Sequence, residues 1–213
     1  LEYSYNKLVK LLPYESYLGI DETGHKDEGR KYWTWCFQTP NYTLFHIDES
    51  RGCQVLLNLL TDEFSGIIGC DYWSAYHKFR RLSNTLVQYC MAHLIREIRF
   101  AAGHTSKTLS RWANDLLELL KKLFDTLNRS HELTDRYFSK KMEEIKTGFL
   151  TRMRRPPGHE LAENLAKRFK GKAAENYFRF MTEPDIEPTN NGTEREIRHT
   201  VIDRRITQGT RGQ

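Results

Sequence analysis

The stretch "SGIIGCDYWSAYHKFRRLSNTLVQYC", residues 65–90, decides the fold. It opens with a brief apolar run that is typical of a buried strand and that ends at Asp71. A helix is predicted next, because aromatic residues recur at helical spacing, at Tyr72, Tyr76 and Phe79. The segment 85–90 again has the composition of a strand. Strands that alternate with helices in this way predict an α/β sheet with helices on both faces.

Upstream, the sequence predicts three strands followed by a helix. The strands are "SYLGID" (16–21), "RKYWTWCFQ" (30–38) and "YTLFHID" (42–48), and "TPN" between the last two is a hairpin signal. A helix with one apolar side follows from residue 50. Together with residues 65–90, this order predicts a mixed five-stranded sheet flanked by helices.

Downstream, the pattern becomes wholly helical. Apolar residues recur at helical spacing in two stripes, and "RRPPGH" (154–159) interrupts them. We interpret this part as an all-helical insertion. The predicted domains are therefore a first part of the core at 1–105, the insertion at 106–182, and a closing part of the core at 183–213.

Composition limits the class of protein. The chain has 213 residues, 38% of them hydrophobic, which suffices for one full core with an appended unit. We find no apolar run of the ~20 residues that a membrane helix needs, and no signal peptide. The cysteines are scattered, without a C-x-x-C pair, which favours a reducing compartment and a cytoplasmic location. Since the chain begins at Leu1 without a start Met, we expect a domain of a longer protein.

Positive charge is concentrated in one segment. The chain has a net charge of +5, and residues 146–172 hold eight Lys or Arg against two Glu. We call residues 146–172 the basic block. A local block of this kind indicates a polyanionic partner such as DNA. An ordinary solvated helical face is the alternative interpretation.

Three acidic residues are candidates for a common site. Asp21 and Asp71 follow apolar strand segments, at the sheet edge where α/β proteins usually bind ligands. Glu194 lies three residues before Ile197, on the same face of a predicted closing helix, where an unpaired acid is costly to bury. Three close carboxylates repel one another, and a pair of Mg²⁺ ions would offset their charge. Acids at strand ends are also common turn and cap residues, so the residues alone leave both interpretations open.

Four stretches resemble one known family. They are "GIDETG" (19–24), "CDYWSAY" (70–76), "CMAHLIREIR" (90–99) and "EPTNNGTEREIRHTVIDRR" (187–205), and together they span nearly the whole chain. The chain resembles the transposase family of insertion sequence 66, a branch of the DDE transposases with a ribonuclease-H-like core. One departure is that Tyr72 and Trp73 follow Asp71, where Gly and Tyr are common in the family.

The resemblance implies a function, a cofactor and partners. It implies a ribonuclease-H-like α/β fold and a DDE transposase catalytic domain that cleaves DNA and transfers strands, with Asp21, Asp71 and Glu194 as catalytic acids and metal ligands. The cofactor is then a pair of Mg²⁺ ions, with Mn²⁺ as a substitute. The partners are transposon ends, target DNA and further copies of the chain in a transpososome, on the nucleoid of a bacterial cytoplasm. A ribonuclease-H-like nuclease that only hydrolyses and a non-catalytic DNA-binding remnant remain alternatives.

Further residues are expected to assist. Candidate DNA-binding residues share a positive charge and lie in the closing helix (Arg195, Arg198, Arg204, Arg205) or in the basic block (Arg152, Arg154, Arg155, Lys167, Arg168). Asn190 and Asn191 are expected to cap the closing helix. Cys90 and His93 form a C-x-x-H pair. Because a structural zinc site needs four ligands, we predict that this pair supports the site without binding zinc.

Overall fold

The computed structural model describes residues 2–183 and 185–207. The chain divides into two compact units, which are described separately below. The first, the sheet unit, comprises Leu1–Cys90 and Ile186–Gln213, and the second, the helical unit, comprises Met91–Asp185. Residues 91–105 belong to the helical unit because their helix packs along the helix that follows, whereas the sequence interpretation grouped them with the sheet.

The sheet unit contains a mixed five-stranded sheet, as the sequence predicted. Its strands are β1 (Tyr17–Asp27), β2 (Arg30–Gln38), β3 (Thr43–Asp48), β4 (Ile67–Cys70) and β5 (Leu86–Tyr89), in the spatial order β3-β2-β1-β4-β5. The first three strands are antiparallel neighbours, while β1, β4 and β5 run parallel. This arrangement agrees with the ribonuclease-H-like fold that the resemblance implied.

Strand β1 is longer than the sequence predicted. The expectation of a short strand ending at Asp21 is wrong, since β1 continues to Asp27 and Asp21 lies in its middle. The reason is that β1 has two different neighbours. Its parallel pairing with β4 ends at Gly19, but its antiparallel pairing with β2 extends to the tight turn formed by Glu28 and Gly29, which both have positive φ.

Helices cover both faces of the sheet. They are α1 (Glu2–Leu11), α2 (Cys53–Leu60), α3 (Ser74–Ser83) and α9 (Asn191–Thr207), and α9 lies on β1 and β2. On the opposite face, Trp35 and Phe37 are fully buried, and Trp35 packs edge-to-face against Tyr76 of α3 at 6.4 Å. These strand aromatics therefore belong to the core on this face of the sheet.

The helical unit contains α4 (Met91–Ala102), α5 (Lys107–Asn128), α6 (Asp135–Met153), α7 (Glu160–Lys167) and α8 (Glu175–Phe178). Its core is built from the predicted apolar stripes, with Leu116, Leu120 and Phe149 fully or almost fully buried. The interruption predicted at 154–159 is confirmed, since it separates α6 from α7. Among the described residues, none of the helices has the length and apolar character required to cross a membrane.

Candidate active site

The register of two parallel strands brings Asp21 and Asp71 to the same place. Gly19 of β1 lies opposite Gly69 of β4, where the pairing of these strands ends. Continuing that register by two residues puts Asp21 opposite Asp71, which directly follows β4. Both acids are half-buried, so they are held by the fold and still reachable from solvent.

Helix α9 brings Glu194 to the same face of β1. Side chains alternate along a strand, so Gly19, Asp21 and Thr23 share one face, and α9 packs on it. The approach is close, because a Cβ added at Gly19 would lie 2.1 Å from Oγ1 of Thr193. Glu194 follows Thr193 directly and is half-buried. The third acid is therefore delivered by a helix that rests on the strand carrying the first.

The electrostatics of Asp21 show that the three acids are neighbours. The pKa of Asp21 is raised to about 7, mainly by burial and then by the negative charges of Glu22, Asp71 and Glu194. A hydrogen bond from the backbone N–H of Glu22 to Oδ1 of Asp21, at 2.9 Å, acts in the opposite direction. Asp21 thus interacts electrostatically with both of the other predicted catalytic acids.

The chemistry of this cluster fits a divalent cation. All three side chains offer carboxylate oxygens, the ligands that Mg²⁺ and Mn²⁺ prefer. Burial, and then the negative charges of Glu22, Asp71 and Glu194, raise the pKa of Asp21 and so disfavour its ionised form in the metal-free chain. A bound divalent cation would neutralise this charge and favour the ionised form of Asp21. The residues present therefore fit the metal that the resemblance implied.

The start of α9 is anchored by buried polar contacts. The backbone N–H of Asn190 donates to Sγ of Cys90 at 3.1 Å, and its side-chain Nδ2 donates to the carbonyl oxygen of Ile20 at 3.0 Å. The carbonyl oxygen of Asn190 accepts the first helical hydrogen bond, from the N–H of Glu194 at 3.0 Å. Asn190 therefore stands at the cap position, but its side chain ties the helix to β1.

The remaining predicted supporting residues occupy simpler positions. Asn191 is the first residue of α9 and is exposed, whereas Cys90 is buried where β5 ends. His93 lies in the first turn of α4 and is half-buried. The absence of zinc stays a prediction.

A second acid on β1, Glu22, belongs to a network that the sequence did not reveal. Its side chain is only 1% exposed, yet Nε of Arg51 lies 2.8 Å from Oε1 and the Tyr76 hydroxyl donates to Oε2 at 2.5 Å. Burial raises the pKa of Glu22, and the bonds from Tyr76 and Arg51 oppose that shift. The only sequence signal was alternation along the strand, which put Glu22 on the face opposite Asp21.

The arginines of α9 differ in their surroundings. Arg195, Arg198 and Arg205 are exposed. Arg204 instead donates from NH1 to Oγ1 of Thr23, at 2.8 Å, and to the carbonyl oxygen of the next residue. It therefore ties the end of α9 to β1, while the other three face solvent.

The basic block lies in the helical unit and is partly neutralised there. Arg152 forms an ion pair with Asp115 at 3.1 Å, and Arg168 makes two hydrogen bonds to Glu97, at 2.8 and 2.6 Å. The exposed cations of the block instead surround or adjoin an open groove of about 490 Å³, lined in part by Arg154, Lys167 and Lys170, with Arg155 beside it.

Comparison with known proteins gives one clear match. A family model described as "Transposase IS66 family" matches residues 1–213, the full length of the chain. No curated protein matches the chain.

Proposed function

Because this chain belongs to the transposase family of insertion sequence 66, we propose that it is a DDE-type catalytic domain that cleaves DNA and transfers strands with divalent metal. The observation that carries the proposal is the position of Asp21, which the β1–β4 register puts opposite Asp71 and whose pKa is raised to about 7 by burial and by the negative charges of Glu22, Asp71 and Glu194. A group of carboxylates in a basic protein suits metal-dependent chemistry on a phosphodiester.

Each acid has a proposed role. Asp21 and Asp71 would hold two Mg²⁺ ions between them, and Glu194 would complete the second site, with Mn²⁺ as a substitute. Bound in this way, the ions supply Lewis-acid stabilisation to the attacking and leaving oxygens of phosphoryl transfer. The chain itself orients the ligands. The β1–β4 register fixes Asp21 and Asp71, and the contacts of Asn190 and Thr193 fix Glu194.

The protonation of Asp21 follows from the same arrangement. With a pKa of about 7, its carboxyl group is part protonated at neutral pH before metal binds. The proton leaves when the ligand set is filled, because a cation favours the ionised form. Binding of the metal is therefore coupled to proton release at Asp21.

Positive charge outside the cluster is proposed to bind the DNA backbone. Arg195, Arg198 and Arg205 are exposed on the helix that carries Glu194, which suits contacts to phosphates near the cleaved bond. In the basic block, Arg154, Arg155 and Lys167 are exposed. Since Arg152, Arg168 and Arg204 also make bonds within the fold, their contacts to DNA would be additional to a structural role.

The wider setting completes the proposal. The two DNA partners are the transposon ends and the target, and strand transfer between them requires several copies of the chain to assemble in a transpososome. The natural location is the nucleoid in a bacterial cytoplasm. A nuclease that only hydrolyses would share the same acids, so the product distinguishes the two functions: strand transfer joins a 3′ end to target DNA, whereas hydrolysis does not.

The test replaces each acid by its amide. We expect Asp21→Asn, Asp71→Asn and Glu194→Gln each to abolish metal-dependent cleavage, measured on DNA that carries transposon ends. Thermal stability should hold or rise, because the metal-free cluster loses repulsion. Glu49→Gln, at an exposed site in the same unit, is the matched control and should retain activity. Near wild-type cleavage by any of the three variants would remove that acid from the site.

A further inference from the structure

The network around Glu22 joins the two segments that carry Asp21 and Asp71. Glu22 follows Asp21 on β1, and its buried carboxylate is paired with Arg51 at 2.8 Å. The guanidinium carbon of Arg51 lies 4.0 Å from the centre of the Trp73 ring. Trp73 in turn donates its backbone N–H to Oδ1 of Asp71 at 2.9 Å. A continuous set of contacts thus runs from one proposed metal ligand to the other.

Each contact in this set is of a kind that fixes geometry. The Arg51–Glu22 bond is charge-assisted, and it joins a carboxylate that is only 1% exposed, so solvent competes weakly with it. The planar guanidinium also lies 4.8 Å from the Trp33 ring, so it is held between two indoles. Trp73 is 37% exposed. Tyr72 of the same turn packs edge-to-face against His77 and Tyr89, at 4.1 and 5.0 Å, and Arg51 adds a restraint on the other ring of the turn, that of Trp73.

The strands provide only part of this restraint. Their shared register aligns Asp21 with Asp71, but the described pairing of β1 with β4 ends at Gly19 and Gly69, two residues before the acids. Arg51 supplies a further connection from the other face of the sheet, through Glu22, which follows Asp21 directly, and Trp73, which lies two residues after Asp71.

We propose that Arg51 is a positioning residue, which fixes the turn carrying Asp71 relative to Asp21 by pairing with Glu22 and stacking on Trp73. The inference rests on the proposed function, because it assigns Arg51 to the metal site formed by these acids. It adds a side chain that acts through contacts within the chain and sets the separation of two proposed metal ligands. Partners of metal ligands commonly contribute ~10–100-fold to metal affinity.

The direction in which Mn²⁺ affinity changes distinguishes a positioning role of Arg51 from a purely electrostatic one. A cation near a metal site repels the metal, so removing the charge of Arg51 would strengthen Mn²⁺ binding if charge alone mattered. Positioning predicts the opposite, namely weaker binding. In Arg51→Met combined with Glu22→Gln, the net charge of the pair is unchanged and no unpaired buried carboxylate remains. Charge alone then predicts no change, whereas positioning predicts a loss of ~10-fold or more.

The experiment measures Mn²⁺ affinity of the chain by calorimetry, with thermal unfolding measured in parallel. We expect Arg51→Met/Glu22→Gln and, at an exposed position, Trp73→Ala to bind Mn²⁺ ~10-fold more weakly or worse. Arg51→Lys should bind less tightly than wild type but better than the double variant, since it keeps the charge and loses the planar stack. Lys31→Ala is the matched control, because Lys31 lies 4.7 Å from the Trp33 ring but has no contact with Trp73 among the described residues.

The outcomes are distinguishable. The positioning role is overturned if both Trp73→Ala and the double variant bind Mn²⁺ as tightly as the wild-type chain or more tightly. The proposed function would survive that result, provided that Mn²⁺ binding by the wild-type chain depends on Asp21. If Asp21→Asn binds Mn²⁺ as well as the wild-type chain does, or if neither binds it, both the metal site and the positioning role are wrong. Should the double variant fail to fold, Trp73→Ala decides, because its partly exposed ring is not required for the core.

Discussion

The contact between α9 and β1 predicts that Gly19→Ala disables catalysis through Glu194. A Cβ at this position would lie 2.1 Å from Oγ1 of Thr193, whereas non-bonded heavy atoms normally approach to about 3.5 Å. Rotation of Thr193 offers little relief, since the residue is buried and its hydroxyl donates to Gln38 at 2.9 Å. The helix must therefore move away from the strand by about 1 Å or more, and Glu194 moves with it.

The expected size of the effect follows from that displacement. Overpacking of this kind costs about 1–3 kcal/mol, which in a protein of this length lowers Tm by roughly 2–10 °C. Misplacement of a catalytic group by about 1 Å reduces the rate by roughly 100-fold. Calorimetry would give the change in Tm, and cleavage of end-bearing DNA at saturating Mn²⁺ would give the rate.

Two variants make the interpretation specific. Gly158→Ala is the matched control, because a Cβ there meets no atom of the described chain within 4 Å, and it should leave Tm and cleavage unchanged. Thr193→Ala combined with Gly19→Ala removes the clashing oxygen and should recover part of both losses. Wild-type cleavage and Tm in Gly19→Ala alone would refute the reasoning, since α9 would then not rest on β1 at this distance.

Two other predictions concern pH and DNA. Because folding raises the pKa of Asp21 from 3.8 to about 7, the folded chain retains a proton that the unfolded chain loses. This contribution to the stability of the wild-type chain is full below pH ~4 and is lost as the pH rises towards 7. Asp21→Asn lacks the titrating group, so in metal-free buffer its Tm minus the wild-type Tm should increase from pH ~4 to 7. A difference in Tm that stays constant over this range would contradict the prediction. DNA affinity should fall as the salt concentration rises, and Arg154→Ala/Arg155→Ala should reduce the steepness of the log affinity–log salt plot by about 0.9 for each phosphate that is no longer bound. The reduction should be smaller in Arg152→Ala, because the Arg152 side chain pairs with Asp115. An unchanged slope in binding titrations of the double variant would exclude a role for Arg154 and Arg155 in binding phosphates.

Local patterns were sufficient to predict the sheet and the orientation of Glu194. The strands are rich in aromatic, β-branched or apolar residues, as in "RKYWTWCFQ" of β2 and "IIGC" of β4, so composition alone indicated them. Helical spacing placed Glu194 on the face of Ile197, which is 4% exposed in the structure. By contrast, α1 was not predicted, and none of its residues is buried in the structure.

Features that depend on distant contacts could not be predicted in the same way. The length of β1 depends on pairing with β2 beyond the end of its pairing with β4. Arg51, the ion-pair partner of Glu22, lies 29 residues away in the sequence, and the sequence around either residue does not predict an ion pair. For Asp21 and Asp71 the expectation of proximity was right for a partly wrong reason, since the strand does not end at Asp21 and it is the shared register that aligns the two acids.

The third acid is held on the sheet by contacts within the sheet unit. Asn190 bonds to Ile20, 170 residues earlier in the chain, and to Cys90, 100 residues earlier. The entropy of closing a loop grows only slowly with its length, by about 0.6 kcal/mol for each doubling. A long helical segment can therefore lie between the second acid and the third at little energetic cost, provided that α9 carries its own anchors. Those anchors are Asn190, Thr193 and Arg204, and each bonds to β1 or β2 rather than to the inserted helices.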